Sequence, residues 1–115
     1  MSGDRRKAET KLQRAIIDAL ELQGLYVLRT NSGVVKVKRG WLHGSKKGTP
    51  DIHLAVPPRA RLGALECKMP GEKPEPEQEE RKAALERAGA LHAFVSSVPE
   101  AIAVVCGWCF AERGP

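Results

Sequence analysis

A strand, a helix and a second strand follow one another between residues 62 and 95, and this order constrains the fold more than any other feature. The run L-G-A-L-E-C-K at 62–68 is typical of a buried strand, and M-P-G-E-K-P-E-P at 69–76 is too rich in proline for regular structure. A charged helix from about 77 to 88 ends at Gly89, and L-H-A-F-V at 91–95 is a second strand. This order predicts a crossover between two parallel strands.

The segment before residue 62 predicts one more helix and the rest of the sheet. Apolar residues recur at helical spacing over 5–23, which indicates an amphipathic helix before Gly24. Short β-rich runs at 25–29 and 34–38 flank the turn residues T-N-S-G, so we expect them to pair as a hairpin. The glycine-rich segment 39–50 is predicted to be a mobile loop, and D-I-H-L-A-V at 51–56 is a further strand.

The C-terminal segment completes the predicted architecture. Ser97 and Glu100 have the spacing of a capping box for a last helix that runs through Phe110. The order of elements is helix, three or four strands, helix, strand and helix. It predicts an α/β or α+β protein with a central β-sheet flanked by helices, and the 115 residues suffice for one domain over 1–115.

Composition narrows the class of protein. Hydrophobic residues make up 42% and charged residues 29%, as in ordinary soluble globular chains, and no apolar run is long enough for a membrane span. The N-terminus lacks the apolar core of a signal peptide, and three cysteines argue against a secreted disulfide framework, so a cytoplasmic protein is expected. The net charge of +5 and pI near 9.4 favour an anionic partner, with nucleic acid ahead of acidic lipid.

An acid and a base lie two positions apart near the end of the 62–68 strand. Because side chains alternate across a strand, Glu66 and Lys68 share one face. Asp51 stands at the start of another apolar strand, and if the two strands are neighbours its carboxylate approaches that of Glu66. Two partly buried carboxylates repel each other, and a hard divalent cation relieves this by binding both. The pattern therefore favours a magnesium site.

Each of the first two predicted helices directs a polar side chain toward the sheet. Glu9 lies seven residues before Ile16, within roughly 20° of the buried stripe of its helix. Gln78 lies seven residues before Leu85, so it aligns with the inward face of its helix. The alternatives are a first-turn acid favoured by the helix dipole at Glu9, an exposed residue at Gln78 and a solvated strand face at Glu66 and Lys68.

Five short motifs in the chain resemble those of the VRR-NUC domains, a branch of the P-D-(D/E)-x-K nucleases. They are Glu9 with Leu12-Gln13, R-T-N-S-G at 29–33, G-T-P-D at 48–51, E-C-K at 66–68 and P-E-Q at 76–78. The resemblance spans residues 9 to about 105. It implies a restriction-endonuclease-like core, with a central mixed β-sheet flanked by helices, and a DNA endonuclease that hydrolyses phosphodiester bonds with Mg²⁺ or Mn²⁺.

The resemblance also implies roles for individual residues. The metal ligands that it implies are Glu9, Asp51, Glu66 and the backbone carbonyl of Cys67. Lys68 would orient the attacking water and help to deprotonate it, and Gln78 would hold that lysine or the water in place. These roles agree with the requirements of phosphodiester hydrolysis, which needs a cation on a nonbridging oxygen, an activated water and neutralisation of the developing charge.

Basic residues near the predicted site are candidates for DNA contacts. The residues assigned to nucleic-acid binding are Arg29, Asn31, Lys46 and Lys47. Arg59 and Arg61 are expected near the site as well, and Trp41 is a candidate for stacking on a base. An ordinary solvated basic surface is the alternative for each of them.

Small single-domain members of the family resemble Holliday junction resolvases, which act as dimers in DNA repair. By this analogy we expect a homodimer, branched DNA as substrate and a bacterial or phage origin. The last helix, with Trp108 and Phe110, is a candidate dimer surface, and ordinary core packing is its alternative.

Two other functions compete with the nuclease. In a non-catalytic nucleic-acid-binding module, the acids would be structural and the basic loop would bind. C-G-W-C at 106–109 has the spacing of a thiol redox motif or of half a zinc site. No second ligand pair has suitable spacing, and the pair lies near the end of a helix, so two packed core thiols are favoured for Cys106 and Cys109.

Overall fold

The computed structural model of the chain describes residues 3–30, 34–37, 40–43 and 48–114, and for the two short segments it describes the backbone. In chain order the elements are α1 (Gly3–Leu22), β1 (Tyr26–Arg29), β2 (Val34–Val37), β3 (Gly40–His43), β4 (Ile52–Val56), β5 (Arg61–Cys67), α2 (Pro76–Arg87), β6 (Leu91–Val95) and α3 (Val98–Arg113). In these described ranges, no helix is long and apolar enough to cross a membrane.

Four strands form a mixed sheet in the order β1-β4-β5-β6. β4 pairs antiparallel with both β1 and β5, whereas β5 and β6 are parallel, with Leu65 opposite Ala93. The parallel pair is joined by α2, as the strand–helix–strand order predicts, because two parallel strands need a long connection that returns the chain to the same end of the sheet. The predicted crossover and the mixed central sheet are confirmed.

The predicted hairpin of 25–29 with 34–38 is wrong. β1 pairs with β4, with Tyr26 opposite Ala55, and β2 pairs with β3 in a separate two-stranded sheet. β3 lies within the segment 39–50, so that segment is not a loop throughout its length. The physical reason is the edge of β4: this strand is apolar and its alternate residues are fully buried, so the backbone groups on its free edge need a partner strand.

The core lies on the sheet face covered by α1 and α3. Alternation places Ile52, Leu54 and Val56 of β4 on this face, and the pairing of Ile52 with Leu65 continues it onto β5. The side chains buried against the strands from the two helices are Ile16, Leu20, Ala101 and Val105. The opposite face of β5 carries Ala64 and Glu66, and α2 packs on this side of the sheet.

Close packing at Gly63 fixes how α3 crosses the sheet. A Cβ atom at Gly63 would lie 2.9 Å from Val56 Cγ2 and 3.0 Å from Trp108 Cζ3, so only glycine leaves room for the indole. Trp108 therefore packs against the core, which agrees with the alternative of ordinary core packing and not with a dimer surface at this residue. Phe110 is 76% exposed. The homodimer stays a prediction.

The N-terminus of α3 is capped by Ser97, as predicted. Ser97 Oγ accepts a hydrogen bond from the Glu100 backbone N–H at 3.2 Å, whereas Glu100 Oε1 accepts from the Ser96 N–H at 2.6 Å. The reciprocal bond thus reaches one residue further back than in a standard capping box. At the other end of the helix, the prediction of two packed thiols is wrong for Cys106, which is exposed because it lies on the outer side of α3. Cys109 is half-buried against the core, and both thiols are free.

Candidate functional site

A polar cavity of about 310 Å³ lies beside the start of β4 and the end of β5. The described residues that line it are Glu9, Gly48, Thr49, Asp51, Glu66, Lys68, Glu72, Glu75 and Gln78. All five residues predicted to be catalytic from the sequence are therefore in one cavity, although they come from α1, from β4 and β5 or their ends, and from α2. The sheet supplies two acids and the lysine, and the helices supply the other two side chains.

Glu66 lies at the base of the cavity and is 4% exposed. Gln78 Nε2 donates a hydrogen bond of 2.9 Å to Glu66 Oε2. Glu66 Oε1 is also buried, and no atom of the described residues hydrogen-bonds to it. Burial, together with the negative charge of Asp51, raises the pKa of Glu66 to about 9. One oxygen of this carboxyl is thus held in place, and the other lacks a protein partner.

Asp51 directly precedes β4, and its carboxylate is fixed by the neighbouring strand. The Cys67 backbone N–H donates to Asp51 Oδ2 at 2.9 Å, and the Thr30 N–H donates to the Asp51 carbonyl at 2.9 Å. Burial raises the pKa of Asp51, while the hydrogen bond from Cys67, the contact with the Glu66 carboxyl and the charges of Lys68 and Arg29 partly offset this effect. β4 and β5 are neighbours, so the condition stated for the approach of Asp51 to Glu66 is met.

Lys68 follows β5 directly and is 8% exposed, which is unusual for a lysine. Its backbone N–H donates to the Val95 carbonyl at 2.8 Å, so the parallel pairing of β5 and β6 extends to this residue. Its ammonium charge lowers the pKa of Asp51 and Glu66, in opposition to the larger effect of burial. This buried ammonium thus compensates part of the negative charge of the acids around it.

Gln78 is oriented by the first turn of α2. Its Oε1 accepts a hydrogen bond from the Glu75 backbone N–H at 2.9 Å, while the Glu75 side chain accepts from the Gln78 N–H, which forms a capping box. With Oε1 occupied by this bond, Nε2 is the atom that faces Glu66. The pattern P-E-P-E-Q at 74–78 carries this signal, because a capping residue is followed three positions later by a glutamine.

Glu72 is a cavity residue that the sequence analysis missed. Its Oε1 accepts from the Met69 N–H at 2.7 Å, and its Oε2 lies 3.3 Å from Arg5 Nη1. The Glu72 N–H also donates to the Met69 carbonyl at 3.0 Å across Pro70-Gly71. Proline followed by glycine is the signature of a type II turn, so the sequence held a signal that Glu72 returns toward the end of β5.

Glu9 reaches the cavity from α1, as its helical position predicted, and it contacts Glu72. Burial raises the pKa of Glu9, and the charge of Glu72 and a hydrogen bond between the two carboxyls raise it further. The Glu72 pKa is lowered by its bond from Met69 and by the same contact with Glu9. The contact between the two carboxyls therefore shifts the pKa of Glu9 upward and that of Glu72 downward.

Gly48 closes the cavity against α2. It has a φ of +84°, and a Cβ there would lie 2.7 Å from the Glu77 backbone oxygen. A left-handed conformation and this close approach both require glycine. The first residue of the G-T-P-D motif is thus needed to bring Asp51 under the start of α2.

The donor set suits a hard cation in part. In the ranges 3–30, 34–37, 40–43 and 48–114, no group of three or more His, Cys, Asp or Glu residues is arranged to hold a metal ion. Mg²⁺, however, commonly takes one or two carboxylates from a protein and keeps several waters. Asp51 and Glu66 supply two, and the unpartnered Glu66 Oε1 is an oxygen that a cation would satisfy. The full ligand set with Glu9 and the Cys67 carbonyl stays a prediction.

The residues predicted to bind nucleic acid are less well described. Arg29 is exposed at the end of β1, opposite Ile52. Asn31, Lys46 and Lys47 lie outside the described residues, as does the Trp41 side chain. Arg59 and Arg61 lie near the start of β5, at the opposite end of the strand from Glu66, and Arg61 Nη1 contacts Glu112 Oε2 at 2.6 Å. Their expected position near the cavity is wrong, because four residues of β5 separate Arg61 from Glu66.

Two of the three thiols, Cys67 and Cys109, have raised pKa values. Burial, with the charges of Asp51, Glu66 and Glu9, raises the pKa of Cys67 to about 12, so this thiol is neutral at physiological pH. Burial also raises the pKa of Cys109. A raised pKa is the reverse of what a redox cysteine needs.

Comparison with known proteins defines the fold. No protein-family model matches the chain, and no curated protein is similar to it. A solved structure described as a VRR_NUC domain superimposes with a TM-score of 0.62 at 20% sequence identity, over 84% of this chain and 92% of that one. The chain therefore has an α/β, restriction-endonuclease-like fold. In particular, it has the fold of a VRR-NUC domain, which confirms the fold that the sequence motifs implied.

Proposed function

We propose that this protein is a DNA endonuclease that hydrolyses phosphodiester bonds with Mg²⁺ or Mn²⁺. The observation that carries the proposal is the meeting of Glu9, Asp51, Glu66, Lys68 and Gln78 in one polar cavity. Buried acids around a buried lysine are costly for stability. Their presence in one cavity therefore indicates that a ligand or a reaction requires them. The VRR_NUC domain fold supports a nuclease in particular. The five cavity residues also fall within four of the five motifs that carry the sequence resemblance to that family.

The residues divide the work of hydrolysis as follows. A bound divalent cation would supply charge neutralisation at the phosphate and a water of lowered pKa. Asp51 and Glu66 would hold it, and the Cys67 N–H keeps the Asp51 carboxylate aimed at the cavity. Gln78 orients Glu66 through its 2.9 Å hydrogen bond. The Lys68 ammonium, buried in the same cavity, would orient the attacking water and donate hydrogen bonds to the phosphate.

The DNA structure that is cut is a further part of the proposal. By analogy with Holliday junction resolvases, we propose branched DNA as the preferred substrate and a homodimer as the active form. A symmetric junction offers two equivalent strands, so a two-fold dimer would place one cavity at each. Sedimentation of the protein with and without a four-way junction tests this part separately from the chemistry.

A cleavage assay tests the chemistry. Labelled linear, flapped and four-way DNA are incubated with the protein in Mg²⁺, Mn²⁺, Ca²⁺ or EDTA. We expect cleavage with Mg²⁺ or Mn²⁺ and none with EDTA. Asp51→Asn, Glu66→Gln and Lys68→Met should each lower the rate by at least about a hundredfold, because each removes a group that acts in the transition state.

Glu86→Gln is the matched control, since Glu86 is an exposed acid on α2 outside the cavity. It should cleave like the wild type. The competing function, a non-catalytic nucleic-acid-binding module, predicts DNA affinity without cleavage under every metal condition. Cleavage that persists in all three cavity variants would show that the activity comes from elsewhere, and the proposal would then be abandoned.

A further inference from the structure

One flank of α1 is strongly basic over its first three turns. Its cationic residues are Arg6, Lys7, Lys11 and Arg14, and all four are exposed. With Gly3 and Thr10 they line a hollow of about 520 Å³, and none of the described residues lining it is acidic. At about 100° per residue the four side chains fall within roughly 140° of the helix surface. The four side chains therefore place a cluster of positive charge on one surface of α1.

The basic flank continues toward the sheet. A second hollow, of about 230 Å³, shares Thr10 and Arg14 with the first and is also lined by Ile17, Asp18 and Arg29. Because the two hollows share residues, they form one groove from the N-terminus of α1 to the end of β1. Asp18 is the acid in the described lining of this groove, and it lies at the end farthest from the helix N-terminus.

Arg29 is held in the groove by a buried amide. Gln13 is 7% exposed, and its Oε1 accepts a hydrogen bond of 3.0 Å from Arg29 Nε. Within the described residues, no hydrogen bond engages the two terminal amino groups of the guanidinium. An arginine held through Nε presents these amino groups as a fork, which suits the oxygens of a phosphate.

The groove ends beside the cavity. Arg29 lies opposite Ile52 in the β1–β4 pair, and the next residue, Thr30, donates its N–H to the Asp51 carbonyl at 2.9 Å. The positive charge of Arg29 also acts on the Asp51 carboxylate. An anion bound by Arg29 would therefore lie near Asp51, at the edge of the cavity. From Lys7 to Arg14 the helix rises about 10 Å, which matches the rise of about three nucleotides of a B-form strand.

We propose that this basic groove, formed by Arg6, Lys7, Lys11, Arg14 and Arg29, binds the sugar-phosphate backbone of a DNA strand and leads it into the cavity. Gln13 is a positioning residue that acts through Arg29. The part of the proposal in which the groove leads the DNA strand into the cavity rests on the proposed function. Binding of DNA in the groove does not require cleavage. An anionic membrane fits less well, because Ile17 is the one large apolar side chain among the described residues of the groove.

DNA binding without cleavage tests the groove. Anisotropy of short fluorescein-labelled DNA is measured in EDTA over a range of salt concentrations, for the wild type and for the double variant Lys7→Ala/Lys11→Ala. We expect Kd to rise about tenfold and the slope of log K against log salt to fall by about 1.4 to 1.8, because two phosphate contacts are lost. Arg87→Ala/Arg113→Ala removes the same charge from exposed positions on α2 and α3, and it should leave the slope unchanged.

A double-mutant cycle tests Gln13. Gln13→Leu should weaken DNA binding several-fold in the wild type and have no effect in the Arg29→Ala background, because Gln13 acts through Arg29. A purely structural role would weaken binding equally in both backgrounds and would refute the positioning role. Thermal unfolding of each variant identifies any that fails to fold. If Gln13→Leu does not fold, Lys7→Ala/Lys11→Ala, at exposed positions, still tests DNA binding in the groove.

The outcomes separate the groove from the reaction. Unchanged Kd and salt slope in Lys7→Ala/Lys11→Ala and in Arg29→Ala would refute the groove even if the wild type cleaves DNA. If the groove variants bind DNA more weakly than the wild type, and the wild type cleaves no DNA, the groove is supported and the proposed function is refuted. Tighter binding to anionic phospholipid vesicles than to DNA, with the same residue dependence, would also overturn the proposal.

Discussion

Replacement of Glu66 by glutamine provides the sharpest test of the electrostatics of the cavity. The pKa of Glu66 rises from its ordinary value of 4.5 to about 9 in the folded protein, first through burial and then through the charge of Asp51. Between these two values, the folded state binds one more proton than the unfolded state. The metal-free protein should therefore lose stability as pH rises through this window.

The magnitude follows from the slope for one proton, which is about 1.4 kcal/mol per pH unit. From about pH 6 to about pH 8, the wild type should lose up to about 2.7 kcal/mol of unfolding free energy from this residue. Glu66→Gln has the shape of the protonated acid and can still accept the bond from Gln78 Nε2, so this contribution should disappear. The other titrating groups are present in both proteins, so the difference in slope comes from Glu66 and from its effect on Asp51.

Urea unfolding in EDTA at several pH values measures the difference. The wild type should become less stable than Glu66→Gln as pH rises, and the gap should widen steadily. If both proteins lose stability with equal slope, the Glu66 carboxyl is ionised in the metal-free protein and the argument from burial is refuted. Mg²⁺ provides a second test, because it should stabilise the wild type more at high pH and leave Glu66→Gln nearly unchanged.

Three other substitutions test the packing around the cavity and are measured by urea or thermal unfolding. Gln78→Leu should cost about 1 to 3 kcal/mol, because it removes the partner of Glu66 Oε2 and the cap of α2. Gly48→Ala should cost more than Gly89→Ala: both have positive φ, but only Gly48 has a backbone atom 2.7 Å from the added methyl. Leu20→Ala should cost about 2 to 5 kcal/mol, since Leu20 is fully buried; a loss below about 1 kcal/mol would contradict the core assignment.

The pairing of strands shows where sequence reasoning reached its limit. The parallel pair β5–β6 was predictable because the two strands are joined by the proline-rich segment 69–76 and one helix, α2. A connection of this length returns the chain to the same end of the sheet and makes the two strands parallel. The partner of β1 was not predictable from its neighbours along the chain. β1 could pair with β2 or with β4, and the buried edge of β4 decided between them. The strand propensity of a local segment does not determine its partner strand when that partner is more than twenty positions away in the chain.

The candidate site divides in the same way. The alternation of a strand put Glu66 and Lys68 on one face, and the period of a helix turned Glu9 and Gln78 inward, so these positions follow from the sequence alone. Glu72 lies in the cavity because a turn brings it back to Met69. Gln13 accepts a 3.0 Å hydrogen bond from Arg29, sixteen positions away in the chain. Only the tertiary structure decided these contacts, because each joins elements whose separation depends on how the sheet and helices pack. The altered pKa of Glu66 has the same origin, since burial is a property of the assembled fold and not of any local segment.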